Sequence, residues 1–83
     1  MKVQVRYFAS LREALGPQET VDVPAGSSLG ALRDQLIASS PRHAEALARS
    51  RALRGAVNQV LGDDSAPVAE GAEVAFFPPV TGG

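Results

Sequence analysis

Two consecutive prolines, Pro78 and Pro79, follow directly after the apolar run of residues 74–77. Proline has no backbone N–H and a fixed φ, so a sheet ladder that contains this run has to end at Pro78. The residue before a proline is held in extended geometry, which carries the restriction back to Phe77. The pattern predicts a last strand over residues 73–77, followed by an extended tail over residues 78–83.

The tail ends with Gly82 and Gly83 and can span roughly 20 Å when it is extended. Small residues at a chain end are compatible with ordinary fraying. The alternative is that the terminal carboxylate is itself the reactive group, since glycines allow a partner's backbone to approach closely. A carboxylate has to be activated before it can carry another group, and adenylation by ATP would supply the leaving group. Both interpretations stay open at this point.

Length and composition restrict the class of protein. A chain of 83 residues with 45% hydrophobic residues is typical of one small globular domain. A net charge of -1 favours neither nucleic acid nor a membrane surface as a partner. The absence of cysteine excludes disulfides, thiolate metal sites and iron–sulfur clusters, and with them a β-grasp ferredoxin. We expect a cytoplasmic protein with no bound metal or cofactor.

Alternation of apolar and polar residues predicts the first strands. In residues 2–8, Val3, Val5 and Tyr7 share one face, which we expect to be buried. Phe8 breaks the alternation, so it either turns inward where the strand ends or is an exposed aromatic for a partner. A second strand follows over residues 19–24, with Val21 facing the core.

Helical spacing appears in three places. A single apolar stripe predicts the main helix, capped by Ser27 or Ser28 and ending near residues 39–40; its members are Leu29, Leu32, Leu36 and Ile37. Ser10 and Glu13 have the spacing of a capping box at the start of a short helix. Pro41 is suited to the first position of a third helix.

The order of elements predicts the fold. After the helices we expect a third strand over residues 56–61, a short edge piece at residues 66–68 and the last strand. A hairpin, one helix across one face and then returning strands form an α+β arrangement, best matched by the β-grasp or ubiquitin-like roll. Its mixed sheet would carry one main helix and short helical segments. Residues 1–77 would form the domain and residues 78–83 the tail.

The other face of such a sheet has no helix over it. The predicted strand faces place Phe8, Phe77 and Leu61 there, near the root of the tail, as an apolar docking surface. His43 is interpreted as a solvated side chain and not as a metal ligand. The basic residues around the third helix are interpreted first as a solvated face and second as a docking patch; they are Arg42, Arg49, Arg51 and Arg54.

Over its full length the chain resembles the small subunits of molybdopterin synthase, which are ubiquitin-like sulfur carriers. The resemblance is carried by Tyr7-Phe8, by Ala56-Val57-Asn58 and, most specifically, by the final Phe-Pro-Pro-Val-Thr-Gly-Gly of residues 77–83. It implies that an E1-like enzyme, using ATP and Mg²⁺, adenylates the Gly83 carboxylate. Sulfur from a donor such as a cysteine desulfurase or a rhodanese-like protein would then produce a thiocarboxylate.

The resemblance also implies the partner and the roles of the tail. The thiocarboxylate would donate sulfur to cyclic pyranopterin monophosphate inside the large subunit of molybdopterin synthase, within a heterotetramer. Gly82 would keep the approach narrow, and four residues would guide the insertion of the tail, namely Pro78, Pro79, Val80 and Thr81. Phe8, Leu61 and Phe77 would pack on the large subunit. The chain would be no enzyme on its own, because the groups that position the pterin would belong to the partner.

Other functions share these features. A sulfur carrier for thiamine, tRNA thiolation or cysteine synthesis would have the same fold and the same Gly-Gly end. A ubiquitin-like modifier would begin with the same adenylation and end with isopeptide bonds from Gly83 to lysines. A plain interaction module would keep its function after Gly82 and Gly83 are removed.

Overall fold

A computed structural model describes residues 1–79 and contains five strands and three helices in the described part of the chain. In chain order the elements are β1 (Lys2–Tyr7), α1 (Ser10–Leu15), β2 (Gln18–Asp22), α2 (Leu29–Ser39), α3 (Pro41–Ala46), β3 (Arg54–Val57), β4 (Val60–Gly62) and β5 (Glu73–Phe77). The predicted last strand is confirmed with the same bounds. Residues 80–83 lie outside the described residues.

The strands form one mixed sheet in the order β2-β1-β5-β3-β4. β1 and β5 are parallel at its centre, with Val5 opposite Val74 and Tyr7 opposite Phe76. The other neighbours, β1–β2, β3–β4 and β3–β5, are antiparallel. This is the β-grasp arrangement, which confirms the predicted α+β class.

The core lies between one face of the sheet, which we call the inner face, and the helices. Alternate residues of β1 and β5 point into it and are almost completely buried, in agreement with the predicted alternation. The stripe of α2 covers them with Leu29, Leu32 and Leu36, while α1 contributes Leu11. Gly30 lets the loop after β4 approach α2 closely, because a Cβ there would lie 2.8 Å from the Asp64 Cβ.

The prediction of one continuous strand over residues 56–61 is wrong. This segment contains parts of two antiparallel strands, β3 and β4, joined by a tight turn. Val57 pairs with Val60, and the two residues between them form the turn. Asn58 and Gln59 have φ of 49° and 70°, and two positive φ values are the signature of a type I′ turn. This turn matches the twist of the strands, so β3 and β4 remain paired through Gly55 and Gly62.

Two of the three predicted helix starts are confirmed. The Ser28 hydroxyl accepts from the Ala31 N–H at 3.1 Å, and Ser40 caps α3 in the same way, followed by Pro41. The capping box at Ser10 is wrong. Ala9 occupies the N-cap position of α1, and Ser10 is already inside the helix, where its hydroxyl caps no N–H.

Candidate functional site

The candidate site lies on the face of the sheet opposite the helices, which we call the outer face. The side chains of one row across this face come from β4, β3, β5 and β1, in the register Leu61, Ala56, Ala75 and Arg6. Phe77 follows Ala75 on the same face of β5 and pairs with Arg54. The helices of the described region pack on the opposite side of the sheet, where the core lies, and leave this row uncovered.

An apolar surface occupies one side of the outer face, and we call it the apolar outer patch. Its members are Phe8, Ala56, Leu61, Ala75 and Phe77. Phe8 is 41% exposed and Leu61 is 65% exposed, whereas Ala75 and Phe77 are half-buried. The structure thus places the predicted residues Phe8, Leu61 and Phe77 on one face. Ala56 is only 7% exposed and lies between Leu61 and Ala75, so the exposed ends of the patch are joined by more buried apolar side chains. An apolar row with exposed members is typical of a surface that a partner covers.

Phe8 continues the outer face of β1 beyond its last paired residue. Its N–H donates to the Phe76 carbonyl at 3.2 Å, which holds it beside the end of β5. Of the two predicted orientations, the outward one is therefore observed. The guanidinium carbon of Arg6 lies 5.8 Å from the centre of the Phe8 ring, a cation–π distance.

A polar rim borders the patch. Arg6 contacts Glu73 at 3.5 Å, and both side chains are more than one third exposed, so the pair contributes little to folding stability. Gln4 donates to Gln18 at 3.2 Å on the same face. An apolar centre with a polar border is the usual anatomy of a protein–protein interface.

The root of the tail lies at the edge of the patch. Phe77 is the last residue of β5, which is paired on both sides, so the following Pro78 and Pro79 leave from the centre of the sheet. Both prolines are half-buried. Val80, Thr81, Gly82 and Gly83, which were predicted to insert and react, lie outside the described residues, so their roles stay predictions.

His43 is not the solvated side chain that the sequence predicted. Its Nε2 lies 2.7 Å from the Glu19 carboxylate, and its Nδ1 lies 2.7 Å from the Ser40 hydroxyl. Tyr7 donates to the same Glu19 oxygen at 2.8 Å. Burial raises the pKa of Tyr7, and the hydrogen bond to Glu19 raises it further. These contacts join β1, β2 and α3 on the inner face, so His43 is a structural link.

The arginines around the third helix are exposed, as predicted, but Arg49 also makes specific contacts that the sequence did not indicate. Its guanidinium contacts Asp34 at 2.8 Å and Asp64 at 2.9 Å and donates to the Gly30 carbonyl at 2.9 Å. The hydrogen bond from Arg49 lowers the pKa of Asp34. Arg49 therefore fastens the loop after α3 to α2 and to the loop after β4.

Arg33 was missed by sequence reasoning, although it is the one buried charged residue in the described region. Its guanidinium donates to the carbonyls of Leu47, Ala48 and Arg51, and burial lowers its pKa. The signal that could have found it is its position, directly after Leu32 in the buried stripe of α2. Its role is to order the segment between α3 and β3.

The described region has no cluster of metal-binding side chains. Within residues 1–79, no three side chains of the metal-binding types lie close enough together to hold an ion. The same region has no helix with the length and apolar character that crossing a bilayer requires. An open cleft of about 690 Å³ near β3 and β4 is lined by Arg33 and Arg54 together with Asp63 and Asp64, a mixture of charges that selects no ligand class.

Known proteins of similar sequence identify the family of this chain. Residues 5–83 match the model of the ThiS family. The chain is 43% identical over 81 residues to the molybdopterin synthase sulfur carrier subunit of Escherichia coli, which covers 98% of this chain and 99% of that protein. It is 41% identical over 85 residues to the protein of the same name from Mycobacterium tuberculosis, with 100% and 99% covered.

Solved structures agree with the fold. SAMP1 from Haloferax volcanii superposes with a TM-score of 0.79 and 28% identity, with both chains fully covered. A chain from the complex of subunits 1 and 2 of the molybdopterin-converting factor of Helicobacter pylori superposes with a TM-score of 0.68 and 26% identity, again over both chains completely.

Proposed function

The chain belongs to the ThiS family, and from this premise we propose that it is the sulfur carrier subunit of a molybdopterin synthase. Two full-length relatives at 43% and 41% identity bear that name. The observation that carries the proposal beyond the names is the apolar outer patch at the root of the tail. A carrier needs a reactive end and a surface that docks it, and Phe77 joins the two.

The proposed chemistry takes place at the carboxylate of Gly83. Attack of this carboxylate on the α-phosphorus of ATP, with Mg²⁺ held by an E1-like enzyme, forms the acyl adenylate and releases pyrophosphate. The terminal sulfur of a persulfide donor then attacks the acyl carbon, and AMP leaves. A thiol cleaves the resulting S–S bond, so that Gly83 keeps the sulfur as a thiocarboxylate and the donor becomes a disulfide.

The tail then enters the large subunit, where the thiocarboxylate sulfur bonds to a side-chain carbon of cyclic pyranopterin monophosphate and displaces an oxygen substituent of that carbon. Hydrolysis of the acyl–sulfur bond returns the carboxylate, so each cycle delivers one sulfur atom, and a dithiolene requires two deliveries. Gly82 and Gly83 have no side chains and suit a narrow channel. The two prolines restrict the backbone before docking, which reduces the entropy that is lost on insertion.

The docking part of the proposal is supported by the geometry of the patch. Phe8 and Phe77 are aromatic, and aromatic side chains are enriched among the residues that contribute most to interface affinity. Leu61 extends the surface to the edge strand β4. We propose that the large subunit covers these three side chains while the tail is inserted, and that the activating enzyme binds the same patch.

Intact mass tests the chemistry. The protein with its own C-terminus is incubated with ATP, an activating enzyme and a sulfur donor. We expect a mass gain equal to the exchange of one oxygen for sulfur, located at Gly83, and pterin product after addition of the large subunit. Deletion of Gly83 should abolish both while the thermal unfolding curve stays unchanged. Sulfur transfer by the shortened chain would contradict the proposal.

A second candidate function is favoured by one comparison. Haloferax volcanii small archaeal modifier protein 1 superposes on this chain with a TM-score of 0.77 and 26% identity, over 95% of this chain. A modifier forms an isopeptide bond from its last glycine to a target lysine. Conjugates that survive a reducing denaturing gel and vanish when Gly83 is deleted would identify this activity, because a thiocarboxylate leaves no such products.

A further inference from the structure

A strained turn lies directly after the exposed Phe8. Ala9 has φ 54° and ψ −130°, close to the first central position of a type II′ turn, where glycine is strongly favoured. The turn is closed by the N–H of Leu11, which donates to the Phe8 carbonyl at 3.2 Å. An L-residue with a Cβ is disfavoured in this region, so surrounding contacts have to hold Ala9 there.

The Ala9 carbonyl accepts from the Arg12 N–H at 3.1 Å, and the residues on either side of Ala9 make the other contacts. On one side, the Phe8 N–H is bound to the Phe76 carbonyl, so both backbone polar groups of Phe8 are fixed. On the other side, Leu11 is only 2% exposed and anchors α1 in the core. The turn therefore joins an outward aromatic ring to an inward leucine within four residues.

We propose that Ala9 is a positioning residue, whose restricted turn holds the Phe8 ring in the orientation that docking requires. Phe8 is 41% exposed, so core packing does not fix its ring. Its orientation depends on the backbone at residues 8–11 and on the Arg6 side chain, 5.8 Å away. Alanine has fewer accessible conformations than glycine, so the turn loses little entropy when a partner binds.

The consequence for binding rests on the proposed function, but the consequence for the free protein does not. Ala9→Gly relieves the unfavourable φ and widens the conformations that are open to the turn. Replacement of Ala9 by D-alanine, through chemical synthesis of the chain, also relieves the unfavourable φ, because a D-residue prefers positive φ. It keeps a Cβ and so keeps the turn restricted. Both variants relieve the backbone strain at Ala9, but only Ala9→Gly makes the turn less rigid, so a comparison of the two distinguishes the effects of strain and rigidity.

The experiment measures three quantities for the native chain and both variants. They are the Tm, the hydrogen-exchange rates of the Phe8 and Leu11 amides in the free protein, and the Kd for the purified large subunit of molybdopterin synthase. We expect both variants to raise the Tm. We expect Ala9→Gly alone to speed the two exchange rates and to weaken binding, each by about threefold to tenfold, the range for one side chain that has to be immobilised.

Each outcome decides the inference. Faster exchange and weaker binding for Ala9→Gly, with native values for the D-alanine chain, support it. Unchanged exchange and affinity for Ala9→Gly would make Ala9 merely structural, and a lower Tm would show that its conformation is not strained. Equal weakening of binding by both variants would assign the effect to the native position of the Ala9 methyl group, which both variants lose, and would overturn the role of turn rigidity. If the native chain failed to bind the large subunit, the proposed function and the docking role of Ala9 would both fall, and the exchange rates would still decide whether Ala9 restricts the turn.

Discussion

The inner and outer faces of the same sheet differ in what their apolar side chains contact. On the inner face, Val5 and Val74 are 0% exposed and pack under the helices. On the outer face, Leu61 and Phe8 are 65% and 41% exposed. Because successive side chains of a strand alternate between faces, the two sets can change independently of each other. Stability is thus concentrated on the inner face, and the proposed docking surface is on the outer face.

The strand that precedes the tail contributes side chains to both faces of the sheet. β5 contributes Val74 and Phe76 to the core and Ala75 and Phe77 to the apolar outer patch. It is paired to β1 and β3, so the last residue before the prolines is held by the most buried part of the sheet. The proposed insertion of the tail would therefore start from a fixed point.

The largest expected effect is on the inner face. Leu32 is 0% exposed in α2, and Leu32→Ala should lower the free energy of unfolding by about 2–5 kcal/mol, because it removes buried methyl groups and leaves a cavity. Urea unfolding followed by circular dichroism measures the loss. In a small domain this change brings the protein close to its unfolding threshold.

Phe77→Ala is the matched change on the outer face. It should alter the free energy of unfolding by no more than about 1 kcal/mol, yet weaken binding to the large subunit by about 2 kcal/mol, or roughly 30-fold in Kd. Calorimetric titration and urea unfolding of the same sample separate the two losses. Equal losses in folding and binding would place Phe77 in the core and remove the distinction between the faces.

Much of the inner face could be predicted from the sequence, because its signals are local. The alternation in β1 and the stripe of Leu29, Leu32 and Leu36 identify core residues without knowledge of the fold. The β-grasp class with its mixed sheet followed from the order of elements. The outward position of Phe8, in contrast, depends on the turn at Ala9, which has no local signal because alanine is not expected there.

Some of the errors concern contacts between distant residues, and others concern local turns and caps. His43 reaches Glu19 across 24 positions, and Arg49 reaches Asp64 across 15, so neither partner could be inferred from spacing along a helix. The hairpin after Val57 was missed because Asn-Gln is a weaker turn signal than Asn-Gly. The pattern of two valines that flank two polar residues was nevertheless present in the sequence.

Tyr7 provides a pH test of the inner face. Burial and Glu19 raise its pKa above the ordinary value of about 10. Above that pH the unfolded chain releases the phenol proton and the folded chain keeps it, so stability should be full below pH 10 and then fall by up to about 1.4 kcal/mol per pH unit.

The measurement is direct, because the sequence has one tyrosine and no tryptophan, so tyrosinate absorbance reports Tyr7 alone. The signal should stay that of the neutral phenol in the folded protein at pH 11 and appear on unfolding. Tyr7→Phe should remove this part of the pH slope while the slope from other groups remains. Ionisation near pH 10 in the folded state would mean that the Tyr7 hydroxyl is solvated.

The smallest expected effect is at the hairpin between β3 and β4, where two adjacent residues share positive φ but differ in their contacts. The Gln59 side chain makes no hydrogen bond in the described structure, whereas the Asn58 Oδ1 accepts from the Glu73 N–H at 3.0 Å. Gln59→Gly should therefore raise stability by about 0.5–1 kcal/mol, since glycine tolerates φ of this sign.

Asn58→Gly, at the neighbouring position with the same sign of φ, should lower stability, because it leaves the Glu73 N–H without its acceptor. Thermal unfolding of the two variants gives the comparison. Stabilisation by both would show that backbone strain dominates at the edge of the sheet. Opposite signs would show that the side chain of Asn58 fastens the edge hairpin to β5, the strand from which the tail departs.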